Sequence, residues 1–135
     1  MDQYFAYKIT DAAGVLAYRA VVADGAGAVK KPAAAAAPGF IGFTQEAQAT
    51  QNKSVNVQEY GHSLAVASAA ITVGDRCDIA DSTGKIRSCE AALIDVAVNP
   101  AEVVEVVCVA LEAATADGDI IKVLIRPYTK VTPVS

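Results

Sequence analysis

The chain of 135 residues holds one histidine, and it stands beside a serine in Glu59-Tyr60-Gly61-His62-Ser63. A base next to a hydroxyl suggests nucleophilic chemistry. Adjacent side chains on a strand point to opposite faces, however, so adjacency alone does not couple them. No Gly-x-Ser-x-Gly turn is present to expose a nucleophilic serine. His62 therefore reads as a loop or strand-end residue. Asp117-Gly118-Asp119 has the look of a calcium turn, but the other ligands of such a loop, including a glutamate at its twelfth position, do not follow. It reads as a solvated hairpin turn, and Gly74-Asp75 as another. Gly25-Ala26-Gly27 is followed by no Lys-Ser/Thr and opens no helix, so it is no phosphate loop. Cys77, Cys89 and Cys108 form no Cys-x-x-Cys pair, and one histidine cannot complete a tetrahedral zinc set. They read as reduced thiols acting as small hydrophobes. Glu46 and Glu112 fall at matched places in the chain and read as strand-end carboxylates or structural hydrogen-bond acceptors. No catalytic residue, metal ligand or cofactor is expected, and the chain does not read as an enzyme.

Binding is the better-supported chemistry. Eleven basic and fifteen acidic residues give a net charge of −4, and only Lys30 and Lys31 are adjacent. Nucleic-acid binding needs clustered cations that displace counterions from phosphates, so nucleic acid is excluded as a partner. A low charge suits packing against another protein. Tyr4, Phe5 and Tyr7 crowd the N-terminus and Tyr128 lies near the C-terminus. Exposed aromatics anchor partner surfaces; the alternative is that Phe5 and Tyr7 belong to a first strand on the core. The stretch Pro32-Ala33-Ala34-Ala35-Ala36-Ala37-Pro38-Gly39 reads as a loop with at most one turn, since the prolines limit any helix. Its small side chains would allow close approach of a partner. Tyr4, Phe5, Tyr7 and Ala33, Ala34, Ala35, Ala36 and Ala37 are thus the candidate partner-binding residues.

The elements that must carry these residues are strands. The chain counts 53% hydrophobic, but this is mostly 28 Ala and 18 Val, with 3 Phe, 5 Tyr and no Trp. Burial is worth roughly 25 cal/mol per Å², so small side chains make a modest core. No apolar run reaches the length of a membrane span, and Met1-Asp2-Gln3-Tyr4 shows no signal-peptide pattern. Short β-branched runs between Gly and Asp punctuation predict an all-β fold in one domain. Strands are expected near 5–9, 15–23, 28–31, 40–45, 54–59, 76–80, 85–88, 104–111 and 120–127. A short helix is expected over 90–97, ending before Pro100.

An internal repeat organises these strands. Ile41-Gly42-Phe43-Thr44-Gln45-Glu46-Ala47 matches Val107-Cys108-Val109-Ala110-Leu111-Glu112-Ala113, a shift of 66 positions (41 to 107) that also aligns Val55-Asn56-Val57 with Ile121-Lys122-Val123. Upstream, Val22-Ala23-Asp24-Gly25-Ala26-Gly27 matches Ile79-Ala80-Asp81-Ser82-Thr83-Gly84 at a shift of 57 (22 to 79). The smaller shift upstream implies an insertion around 89–103. Asp first and Gly fourth suit a four-residue turn in both hairpins. That register pairs Ile79 with Ile86, Asp78 with Arg87 and Cys77 with Ser88. One face becomes apolar, the other carries a cross-strand ion pair, and a Cys77–Cys89 disulfide is disfavoured. The same register pairs Val22 with Val29.

With Ile41-Gly42-Phe43, Ala69-Ala70-Ile71-Thr72-Val73-Gly74-Asp75, Thr83-Gly84-Lys85-Ile86, Val109-Ala110-Leu111-Glu112-Ala113 and Gly118-Asp119-Ile120-Ile121-Lys122-Val123 in this order, the chain resembles the bacteriophage capsid cement, or head decoration, proteins over residues 12 to 127. The resemblance implies a compact, barrel-like β-tulip of two pseudo-repeated hairpin-plus-strand halves, about 12–59 and 69–125. Residues 1–11 would form an N-terminal arm or first strand, and 128–135 a tail. It implies a structural virion protein, made in the host cytoplasm, that binds the major capsid protein on the outer surface of the head as a homo-oligomer, with a trimer favoured. Two departures stand out. Gly42 is matched by Cys108, and neither the alanine run nor the aromatic N-terminus belongs to the shared pattern. The rival from another class is an adhesion or glycan-binding module on a virion or cell surface; the lack of Trp counts against it.

Overall fold

The computed structural model describes residues 3–94 and 103–131. Nine strands and one short helix form: β1 (Gln3–Ile9), β2 (Ala20–Ala23), β3 (Ala28–Lys30), β4 (Phe40–Thr44), β5 (Ser54–Val66), β6 (Arg76–Ile79), β7 (Ile86–Ser88), α1 (Glu90–Ile94), β8 (Val103–Ala110) and β9 (Ile120–Val131). The expected helix thus forms over its first five residues, and 95–97 lie outside the described residues. The stretch 15–19 is not strand, although Val15 bridges Gln48. Tyr18 has a positive φ of 59°, which breaks an extended run there.

The strands run β1-β3-β2-β4-β5-β9-β8-β6-β7, and β1 also pairs with β5. That extra pairing closes β1 to β5 into a five-stranded barrel. β1 is parallel to β3 through Ile9 and Val29 and antiparallel to β5 through Tyr7 and Val55. The second half repeats the arrangement. The far end of β5 takes the part of β1: Ala65 lies opposite Ile121 on β9, as Tyr7 lies opposite Val55. The parallel closure recurs as one bridge between Ala67 and Ile86. β5 is therefore the last strand of one ring and the first strand of the next, which explains its 13 residues.

Outside the hairpins the repeat extends to individual bonds. Phe43 faces Gln58 and, 66 positions on (43 to 109), Val109 faces Leu124. The Gln45 N–H donates to the Asn56 carbonyl and the Leu111 N–H to that of Lys122, both at 2.9 Å. Asn52 donates to Ile9 and Gly118 to Ala67, and both donors have positive φ, 65° and 96°.

The second hairpin has the register read from its residues: Cys77 with Ser88, Asp78 with Arg87, Ile79 with Ile86. The first does not. Val22 faces Lys30 and Ala23 faces Val29, one position away from the expected Val22–Val29 pair. The Asp24 N–H donates to the Ala28 carbonyl, so the loop proper is Gly25-Ala26-Gly27, whereas Ala80 donates to Lys85 around four residues. Two glycines at φ 78° and 70° permit the tighter turn.

Two apolar clusters follow from strand alternation. Ile9, Val15, Val21, Val29, Val55 and Val57 fill the first barrel. The larger cluster fills the second ring and reaches back to Ala20, Val22, Ala37 and Phe43 of the first half. β2 thus points Val21 into one barrel and its neighbours into the other. The two halves meet through backbone as well: Ala20 donates to the Gly84 carbonyl at 2.8 Å. A Cβ on Gly84 would lie 2.6 Å from the Ala20 oxygen, so only glycine fits this junction. On the face of the second hairpin expected to carry an ion pair, Asp78 is buried while Arg87 stays partly exposed. Cys89, Leu93, Val104 and Val106 form a third small cluster.

Candidate functional site

The residues suspected of chemistry are occupied by structure. Glu46 accepts from the Asn56 N–H and Glu112 from the Lys122 N–H, so the matched carboxylates close matched strand ends. Asp119 accepts from the Thr115 N–H, the Thr115 hydroxyl and the Ala116 N–H, and these bonds hold its carboxyl below the usual range. Asp75 caps its own turn by accepting from the Thr72 N–H. His62 is not at a strand end: it sits inside β5, opposite Leu124. Gly61 has a φ of 79° and stands where β5 passes from its β1 partner to its β9 partner, so the strand continues through it. Ser63 points the other way, buried, and its hydroxyl donates to the Leu64 carbonyl and accepts from Gln45. The three cysteines are free and buried. Burial pushes the Cys89 thiol up to about 12 and raises Cys108 as well. Asp78 and Arg87 pair through Oδ1–Nε at 2.9 Å and Oδ2–Nη2 at 3.2 Å.

The suspected contact residues lie on different rings. β1 is paired along its length with β5, so the N-terminal aromatics are held in a strand. Phe5 is 44% exposed and the nearby Tyr60 of β5 is 60% exposed. Tyr7 is half-buried against the first barrel's core, and its hydroxyl donates to Glu59 Oε1 at 2.8 Å. Burial, with that carboxylate, raises its pKa. Tyr4 lies in β1, opposite Gln58. In the alanine stretch only part is free: Ala33, Ala34 and Ala35 are exposed, while Ala36 donates to the Ile79 carbonyl and Ala37 joins the larger core. The loop therefore straps the first half to β6 and leaves its outer turn exposed.

One feature escaped the reading of the sequence. A cavity of about 250 Å³ opens between the 13–19 segment, Lys31 and Thr83. Arg19 and Lys31 give it two cations, and Leu16 at its edge is 59% exposed. These residues come from three separated segments, and no motif links them.

A ring of five short antiparallel and parallel strands, repeated once around a shared strand, is the architecture defined by this geometry. No family model matches the chain, and no curated protein does. A solved structure does: the head fiber gp8.5 N base of bacteriophage phi29 superposes with a TM-score of 0.59 at 18% identity, over 93% of this chain and 95% of that one. The likeness establishes a common fold that spans nearly the whole of both chains.

Proposed function

We propose that the chain is a structural protein of a bacteriophage head, a decoration protein that binds the outer surface of the capsid and stabilises it. The observation that carries this reading is the fold shared end to end with a protein of a phage head. The composition agrees with it. A core of Ala, Val and Ile in short strands leaves exposed aromatics at Phe5 and Tyr60 and small residues at Ala33–Ala35 for close contact. The partner would be the major capsid protein, and many copies of a homo-oligomer, with a trimer favoured, would bridge capsomers so that weak contacts add by avidity. No reaction is needed for this role; the work is mechanical.

The name of the solved neighbour favours a second reading of the same class, in which this fold is the base by which a fibre is fixed to the head. Purified protein mixed with expanded, undecorated heads separates the possibilities. The expected result is co-sedimentation at micromolar protein, hundreds of copies per head, and a higher disruption temperature. Tens of copies with no thermal gain would favour the fibre base. No binding at all would sink both, and binding to glycans instead would favour an adhesion module.

A further inference from the structure

We infer that the cavity beside Arg19 and Lys31 is a docking site for an acidic segment of a partner protein, taking one carboxylate with an aliphatic side chain next to it. Charge is the first argument. The protein is net acidic, and Arg76, Arg87 and Lys85 are each closed by a carboxylate of their own chain. Among the described residues Arg19 and Lys31, like Lys8, Lys30, Lys53, Lys122 and Arg126, have no such partner, but Arg19 and Lys31 line one concavity together.

The second argument is an orphan donor. Arg19 Nη1 donates to the Thr83 carbonyl at 3.0 Å, which fixes the guanidinium. Its Nε is buried without an acceptor. A buried donor left unmade is costly and rare, so the guanidinium carries a hydrogen-bonding demand that its own chain does not meet, on a side chain that lines the cavity.

The third argument is preorganisation. Thr44 is fully buried and grips the Leu16–Arg19 turn at four points. Its hydroxyl donates to the Leu16 carbonyl and accepts from the Arg19 N–H, and its backbone accepts from Tyr18 and donates to Arg19. Gly14 is locked under the Gln48 carbonyl, where a Cβ would stand 1.9 Å from the oxygen. The Lys31 backbone is tied to Asp11 Oδ2 at 2.7 Å. A wall that does not reorganise loses little on binding.

The repeat supplies a control. At the matched bend of the second half, Asp75 takes the place of Arg19 and uses its carboxylate on Thr72. The fold therefore does not require a cation at this bend. A carboxylate fits better than a phosphate, because the remaining lining is Ala13, Gly14, Val15 and Leu16, with no nest of backbone donors for a multiply charged group.

Isotope-labelled full-length protein titrated with the peptide Gly-Ser-Leu-Asp-Leu-Glu tests this by amide chemical shifts. The expected result is saturable shifts confined to 13–19, 31 and 83. Loss of one charge-assisted contact weakens binding by about tenfold for Arg19→Gln and by less for Lys31→Gln, which lies at the rim. The Asn/Gln, C-terminally amidated peptide should not bind. Equal binding of that neutral peptide, shifts spread elsewhere, or none at about 10 mM would overturn the proposal. Tighter binding of inorganic phosphate would replace it with an anion site. If Arg19→Gln misfolds, Lys31→Gln carries the test alone. The assay contains no capsid, so its failure leaves the head-binding reading untouched.

Discussion

At the scale of single residues, the repeat is most informative where its halves differ. Gly42 and Cys108 hold matched positions, and the structure explains the exchange. A Cβ on Gly42 would stand 2.1 Å from the Gln58 carbonyl oxygen and 2.8 Å from Val57 Cγ1. Cys108 instead fits in the second ring's core. Gly42→Ala is expected to cost at least about 2 kcal/mol, because backbone must move. Gly25→Ala meets no atom within 4 Å and should cost about 1 kcal/mol, for its positive φ alone. Urea denaturation of both checks the order; equal midpoints would refute the steric account. The thiols give a second prediction. The thiolate is the reactive form, and burial holds Cys89 protonated up to about pH 12. None of the three should react with a disulfide reagent at pH 8 until denaturant is added. The folded state keeps a proton that an unfolded thiol releases near pH 9, so this contribution is complete below pH 9 and is lost as pH rises toward 12. The urea midpoint should fall over that range, and less steeply in Cys89→Ala. The structural hydrogen bonds of Glu46 and Glu112 were legible from their matched positions in the repeat. The Arg19 cavity was not, because Arg19, Lys31 and Thr83 meet only through the Thr44 clamp and the contact between halves.

At the scale of elements, the strand runs were readable wherever β-branched residues met Gly or Asp, and each of the nine expected strands has a counterpart. The errors have physical causes. The Asp24–Gly27 turn looks like the Asp81–Gly84 turn, yet a second glycine lets it close one residue earlier and shifts the strand register. A strand was expected over 54–59, but pairing with β9 carries β5 to Val66. β9 likewise runs to Val131 by pairing with β8, into the segment expected as a tail. Alanines 36 and 37 looked like loop and are held against the second ring. These contacts are long-range, and no local pattern encodes them. The topology itself predicts a stability order. β5 is bonded to β1 and β4 at one end and to β9 at the other, whereas β7 has three residues and closes its ring through the single Ala67–Ile86 bridge. Native-state hydrogen exchange should find β5 amides opening only with global unfolding and β7 amides opening at lower free energy. Equal protection of the two strands would contradict that order.

At the scale of the whole molecule, the question is whether two rings make one folding unit. Sharing β5 argues that they do, since neither ring is complete without it. Packing argues the same. Phe43 is fully buried, meets Phe40 edge to face at 5.3 Å, and belongs to the cluster that fills the second ring, although its strand belongs to the first. Ala20 and Gly84 add a backbone hydrogen bond across the join. Truncating a buried Phe typically costs about 3–5 kcal/mol, which is a large share of the stability of a small domain. Phe43→Ala should therefore weaken both rings together. The cysteines make the test direct, because Cys77, Cys89 and Cys108 all lie in the second half while β1 to β3 lie in the first. Thiol labelling followed along a urea series reports the second ring, and amide exchange of β2 and β3 reports the first. The two midpoints should coincide in the native protein and shift together in Phe43→Ala. Thiols that become reactive while β2 and β3 stay protected would mean that the rings unfold separately. The shared strand would then be a tether rather than a common core.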